Sequence, residues 1–225
     1  MSTVAENLTR VRARIVRACQ EAGRPPEAVR LVAVTKTVDV ERIREAVAAG
    51  VREIGENYLQ EAEPKLNELA DAPLVRHFIG HLQRNKAGRV VELFDVVQSV
   101  DSRRLAQALS RRAVALGKNL DVLLEVNISG EATKAGAAPA ETLTLAAEVA
   151  ELPGLRLQGL MAIGPLDPDP ETARPGFRRL ADLFSQLPAC QQQILSMGMS
   201  GDLEVAIGEG ANLVRVGSAI FGPRR

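Results

Sequence analysis

Residues 30–37 read RLVAVTKT, and how this run is understood decides how the rest of the chain is understood. Leu31, Val32, Ala33 and Val34 make a short unbroken apolar stretch, the pattern of a strand buried on both faces in a parallel sheet. No G-x-G-x-x-G turn follows it, which argues against the first strand of an open dinucleotide-binding sheet. The run closes on Lys36 instead. A lysine there either leaves for solvent with its stem lying on apolar surface, or is an amine kept in a dry pocket for carbonyl chemistry.

Working outward, similar runs recur at EIGEN (53–57), VRHFIG (75–80), DVVQSV (95–100), DVLLEVNI (121–128), RLQGLMAI (156–163), QILSMG (193–198) and LVRVGS (213–218). Helical patterns lie between them near 39–49, 58–69, 83–92, 102–116, 140–151, 173–186 and 201–209. Asp39, Asp101 and Pro139 mark helix starts, Gly50 and Gly117 mark stops, and Pro64 predicts a kink or restart in the second helix. Eight strands alternating with helices predict a closed (β/α)8 barrel of the TIM type, with a doubly wound open sheet as the rival. One domain is expected over 1–225, with no linker and no second domain. After the eighth strand only AIFGPRR remains, too short for a full helix. Thr3 and Glu6 have capping-box spacing, and Val4, Leu8, Val11, Ile15 and Cys19 repeat every three or four residues. This extra N-terminal helix is expected to cover the place of the eighth.

Lys plus Arg and Asp plus Glu both number 28, so the chain lacks the basic excess that binds phosphate backbones. The two cysteines, Cys19 and Cys190, have no motif spacing and form no zinc site. No run approaches the roughly 20 apolar residues of a membrane span. A cytoplasmic protein with neither nucleic-acid nor membrane partners is expected.

In such a barrel the C-terminal strand ends form the reactive face. They bring together Lys36, Asn57, Gly80 with His81, Ser99, Asn127, Gly164, Ser196 to Ser200, and Arg215 to Ser218. Loops after strands seven and eight commonly bind phosphate through free backbone N–H groups. Gly198, Gly201 and Gly217 would let that backbone approach closely, with Ser200 and Ser218 adding hydroxyls. Strand one neighbours strand eight, so Lys36 would meet a phosphorylated aldehyde. An aldolase sugar substrate and pyridoxal phosphate both answer that description.

Seven blocks in order then carry a resemblance: AVTKT (33–37), GENYLQE (55–61), HFIGHLQRNK (77–86), VNISGEATKAG (126–136), GLMAI (159–163), SMGMSGDLEVAI (196–207) and VRVGSAIFG (214–222). The chain resembles the pyridoxal-phosphate homeostasis proteins along nearly its whole length, and less closely the barrel domain of alanine racemase. The resemblance implies that Lys36 forms the internal aldimine with pyridoxal 5'-phosphate and that Ser200, Gly217 and Ser218 cradle the phosphate. It also implies that Arg215 faces the pyridine nitrogen and that Asn57 lines the pocket. His77 and His81, the only histidines, take either a direct role or a place in the core or behind the pocket wall. Tyr58 is expected to pack. Lys134 matches a family lysine in the loop after strand five, or is a surface lysine. Arg76 stands where many relatives carry an aromatic residue.

An always-charged Arg215 would keep the pyridine nitrogen unprotonated and weaken the ring as an electron sink. With no covering domain and no base opposite Lys36, the expected function is a non-catalytic protein that stores, buffers or delivers the cofactor. Apoenzymes that use it are the implied partners, and a monomer is expected. A pyridoxal-phosphate-dependent amino-acid racemase or related small-substrate enzyme is the alternative, with a Schiff-base aldolase third.

Overall fold

The computed structural model describes residues 2–129, 135–165, 167 and 169–223. Its strands close into one barrel in sequential order: β1 (Arg30–Val34), β2 (Glu53–Glu56), β3 (Val75–Phe78), β4 (Val96–Val100), β5 (Leu120–Glu125), β6 (Leu155–Met161), β7 (Ile194–Ser196) and β8 (Leu213–Val216). All neighbours are parallel, and β1 closes on β8 in the register Arg30↔Leu213 to Ala33↔Val216. Parallel strands feeding crossover helices must be buried on both faces, which is why β4 and β8 are buried at every position. The apolar side chains divide accordingly. Val32, Leu123, Met161, Ile194 and Leu213 fill the barrel interior, while a far larger set packs between the strands and the helices.

Around the barrel run α1 (Val4–Glu21), α2 (Val40–Ala48), α3 (Leu59–Glu68), α4 (Ala87–Leu93), α5 (Arg103–Ala115), α6 (Thr142–Ala150), α7 (Arg174–Ser185), α8 (Leu203–Gly208) and α9 (Ser218–Phe221). The single turn of α9 cannot cover the barrel edge alone, and α1 does so, packing on α8, α9 and α2. Its Val4, Leu8, Val11, Ile15, Ala18 and Cys19 are buried. The expected capping box opens it: Thr3 N–H donates to Glu6 Oε2 at 2.9 Å, and Glu6 N–H to Thr3 Oγ1 at 3.2 Å. Inside the seam, Asn7 Nδ2 donates to Ile220 O at 2.8 Å, tying α1 to α9.

Two local expectations are adjusted. Helix α3 runs through Pro64 without restarting; the missing N–H leaves the carbonyl of exposed Gln60, where water can satisfy it. Tyr58 does not pack; it is among the most exposed large side chains, because it stands at the start of α3 outside the apolar stripe.

Candidate functional site

The turn after β1 carries Lys36 and is pinned from behind. Thr35 Oγ1 donates to Glu56 Oε1 at 2.7 Å, and buried Lys65 Nζ donates to Thr35 O at 2.7 Å, Glu56 Oε1 at 2.8 Å and Glu61 Oε1 at 2.6 Å. Thr37 N–H donates to Glu61 Oε1. Thr37 also holds φ +61°, a conformation uncommon for a non-glycine residue. Burial pushes the Glu56 carboxyl above its ordinary value, with Lys65 and Thr35 opposing. Lys36 itself is half-buried, and the alternation that sends Val32 inward brings it to the inner side of the mouth.

Asn57 follows β2, and its Oδ1 is buried without a hydrogen-bond partner. A Cβ on Gly80 would lie 2.1 Å from the Asn57 carbonyl oxygen, so only glycine lets the β3 turn press Asn57 into place. The loops after β7 and β8 meet each other here. Ala219 N–H donates to Ser200 Oγ at 3.3 Å, which leaves the Ser200 proton to donate elsewhere. Arg14 Nη2 holds Ser200 O at 2.9 Å from α1. A Cβ on Gly217 would come within 3.3 Å of Val34 O, so the strand that carries Lys36 runs against the β8 loop. Ser218 is exposed at the start of α9. Gly198 (φ +93°) is also enforced, by Ala206 at 2.6 Å, but Gly201 has nothing within 4 Å and is not a close-approach position. The loop there is closed by Asp202 Oδ1, which accepts from Met199 N–H at 2.6 Å.

Arg215 lies inside the barrel, 4% exposed, and donates from Nη1 to Ser196 Oγ at 2.5 Å and from Nη2 to Ala162 O at 2.8 Å. Burial lowers its pKa to about 10, against the charges of Glu125 and Asp202, and it stays a cation at neutral pH. His77 is wholly buried deeper in the barrel, while His81 is exposed. Lys134 lies outside the described residues.

Glu125 escaped the sequence reading. It ends β5 in register with inward-facing Met161, is 6% exposed, and its carboxyl has no hydrogen bond among the described residues. Burial raises its pKa to about 7, Asp101 adding to the rise and Arg215 opposing it. The available signal was an acid closing the apolar run DVLLE. A nearby cavity of about 370 Å³ is walled by Met199, Gly201, Asp202, Asp167 and Asp169; its acids suit no anion. Among the described residues no group of His, Cys, Asp and Glu could hold a metal ion, and no helix is long and apolar enough to cross a membrane.

An amine, a buried guanidinium, a serine hydroxyl and an unpartnered amide oxygen thus converge on one mouth. Residues 7–225 match the family described as alanine racemase, N-terminal domain. A pyridoxal phosphate homeostasis protein of Pseudomonas aeruginosa is 52% identical over 228 residues, covering 100% of this chain and 97% of the relative. An unknown protein from Bifidobacterium adolescentis superposes with a TM-score of 0.89 at 44% identity, covering 97% of this chain and 94% of that one. PipY of Synechococcus elongatus, solved with PLP (pyridoxal phosphate) bound, gives 0.84 at 38% identity, covering 98% and 100%.

Proposed function

Because the chain belongs to the family of pyridoxal phosphate homeostasis proteins, we propose that this mouth binds pyridoxal 5'-phosphate covalently through Lys36 and that the protein stores, buffers or delivers the cofactor in the cytoplasm without catalysing a reaction. The carrying observation is the juxtaposition of Lys36 with the β8 loop, built by the β1–β8 register and the close contact of Gly217 with Val34. The residues present suit the group. Asn57 Oδ1 is an orphaned acceptor at the pocket wall, and the Gly217 backbone leaves room where any side chain would crowd β1.

When bound, pyridoxal phosphate supplies an aldehyde that joins an amine with loss of water and a ring that withdraws electrons. Lys36 is the amine. Ser200 and Ser218 hydroxyls and the Gly217 backbone hold the phosphate. Arg215 faces the pyridine nitrogen as a donor that remains charged, which keeps that nitrogen unprotonated and the ring a poor sink. Tyr58, the only tyrosine, is 58% exposed and does not oppose Lys36. Apoenzymes are the proposed recipients.

One observation favours the racemase reading. The Glu125 carboxyl, raised to about 7 at the mouth, is the kind of group a proton-moving enzyme uses. Borohydride reduction of the loaded protein followed by peptide mass mapping tests the site. A single phosphopyridoxyl group on Lys36 is expected; label on Lys65, Lys86, Lys118 or Lys134 instead would displace it.

A further inference from the structure

Arg215 is a buried cation with no carboxylate hydrogen-bonded to it among the described residues. A buried charge is costly unless it is paired. Glu125 and Asp202 favour the cation from nearby, neither hydrogen-bonded to it among the described residues, and a line of hydrogen bonds leads from it to a carboxylate at the other end of the barrel. Arg215 Nη1 donates to Ser196 Oγ at 2.5 Å. Ser196 Oγ donates to Gln98 Oε1 at 2.7 Å. With its oxygen so engaged, Gln98 turns Nε2 toward His77 Nδ1 at 2.9 Å. Nδ1 must then accept, so the ring proton sits on Nε2 and is donated to Glu53 Oε2 at 2.9 Å. Glu53 is held from the opposite side by Arg30, Nε to Oε1 at 2.8 Å and Nη2 to Oε2 at 2.7 Å. Burial of Glu53 would raise its pKa, but His77 and Arg30 outweigh it and bring it to about 2, so this terminus is anionic.

Every bond between Arg215 and Glu53 therefore points the same way. The line crosses β8, β7, β4, β3 and β2 through the interior, beside the apolar cluster of Val32, Leu123, Met161, Ile194 and Leu213. Aligned donors polarise one another and strengthen the line as a unit. A barrel interior of this type is ordinarily filled by branched apolar residues, and a polar file through it needs a reason.

We infer that Ser196, Gln98, His77 and Glu53 are positioning residues, a one-way relay that links Arg215 to the remote Glu53 carboxylate and fixes the guanidinium's orientation at the mouth. The relay consumes one Nη1 proton and Ala162 O one Nη2 proton, and the remaining donors are aimed by that anchoring. This rests on the proposed placement of Arg215 beside the cofactor ring only for its effect on the cofactor, and not for the relay itself.

Two measurements test it separately. In cofactor-free protein, 15N NMR of the histidines, only two of which need assigning, should show His77 protonated on Nε2 and bare on Nδ1. A proton on Nδ1 would reverse Gln98 and overturn the one-way order. In protein loaded with pyridoxal phosphate, Ser196→Ala and Gln98→Leu should shift the absorbance maximum of the bound cofactor and weaken its retention about tenfold, the order expected for one lost hydrogen bond to a charged group. Lys36 should still be labelled by borohydride, and Ser196→Thr, which keeps the hydroxyl, should restore the wild-type spectrum. Variants that lose thermal stability while the spectrum and affinity stay unchanged would reduce the file to core filling and defeat the inference. Should Gln98→Leu not fold, Ser196→Ala and the wild-type tautomer decide the matter. Wild-type protein that takes no label at Lys36 would defeat the functional reading instead, with the tautomer result still standing.

Discussion

Glu125 and Ser200 show how single groups set the behaviour of the mouth. The Glu125 carboxyl moves from an ordinary value of 4.5 to about 7 in the folded protein, mainly through burial. Between these values the native state binds more protons than the unfolded one, so stability falls as pH rises. The favourable contribution is complete below about 4.5 and lost by the time pH passes about 7. Glu125→Gln should therefore raise the unfolding free energy of cofactor-free protein at pH 8 by up to about 3 kcal/mol for a shift of this order, and leave it nearly unchanged at pH 4. Equal gains at both values would mean the carboxyl is not perturbed. Ser200 accepts from Ala219 N–H, so its own proton is not used in that bond. Ser200→Ala and Ser218→Ala should each weaken cofactor retention by about 0.5–1.5 kcal/mol, or more against an ionised phosphate, while backbone donors retain part of the binding. A double variant that binds with unaltered affinity in equilibrium titration would move the phosphate elsewhere.

Among the elements, α1 has the largest consequence, because it does the work of a helix that the short α9 cannot do. Its buried face covers the barrel edge, and Arg14 and Asn7 tie it to the β7 loop through Ser200 O and to α9 through Ile220 O. Leu8→Ala, which removes a side chain only 1% exposed, should cost about 2–5 kcal/mol by cavity formation. Chemical denaturation reads this directly, and an unshifted midpoint would show that α1 is only loosely docked. The Lys36 turn is braced in a comparable way: α3 delivers Lys65 and Glu61, an ion pair that bonds to Thr35 O and Thr37 N–H on either side of the lysine.

For the whole molecule, the carrier reading predicts a monomer in solution that exchanges cofactor but turns nothing over. Size-exclusion chromatography with light scattering should report a mass near 24.1 kDa. In deuterated buffer, L- and D-amino acids should exchange their α-protons no faster than with free pyridoxal phosphate. Stereospecific, saturable exchange that disappears in both Lys36→Ala and Glu125→Gln would establish a racemase-type enzyme and remove the carrier reading.

Local patterning was enough to determine the barrel, because parallel strands buried on both faces leave unbroken apolar runs, and helices that cover them leave a 3.6-residue period. It also placed Lys36, Asn57, Arg215 and the β7 and β8 loops at one mouth, since in this fold the strand ends converge whatever the intervening sequence. Tyr58 was misjudged where a local rule met an exposed helix start, and of the kink or restart expected at Pro64 the restart is absent. The rest required tertiary structure. Glu125 is an ordinary glutamate until β5 buries it beside Asp101 and Arg215, and Glu53, His77, Gln98 and Ser196 stand on four different strands. A pKa depends on what surrounds a group, and a donor's direction on what its partner already accepts. Neither is carried by residues adjacent in the chain, so only the closed barrel decides them.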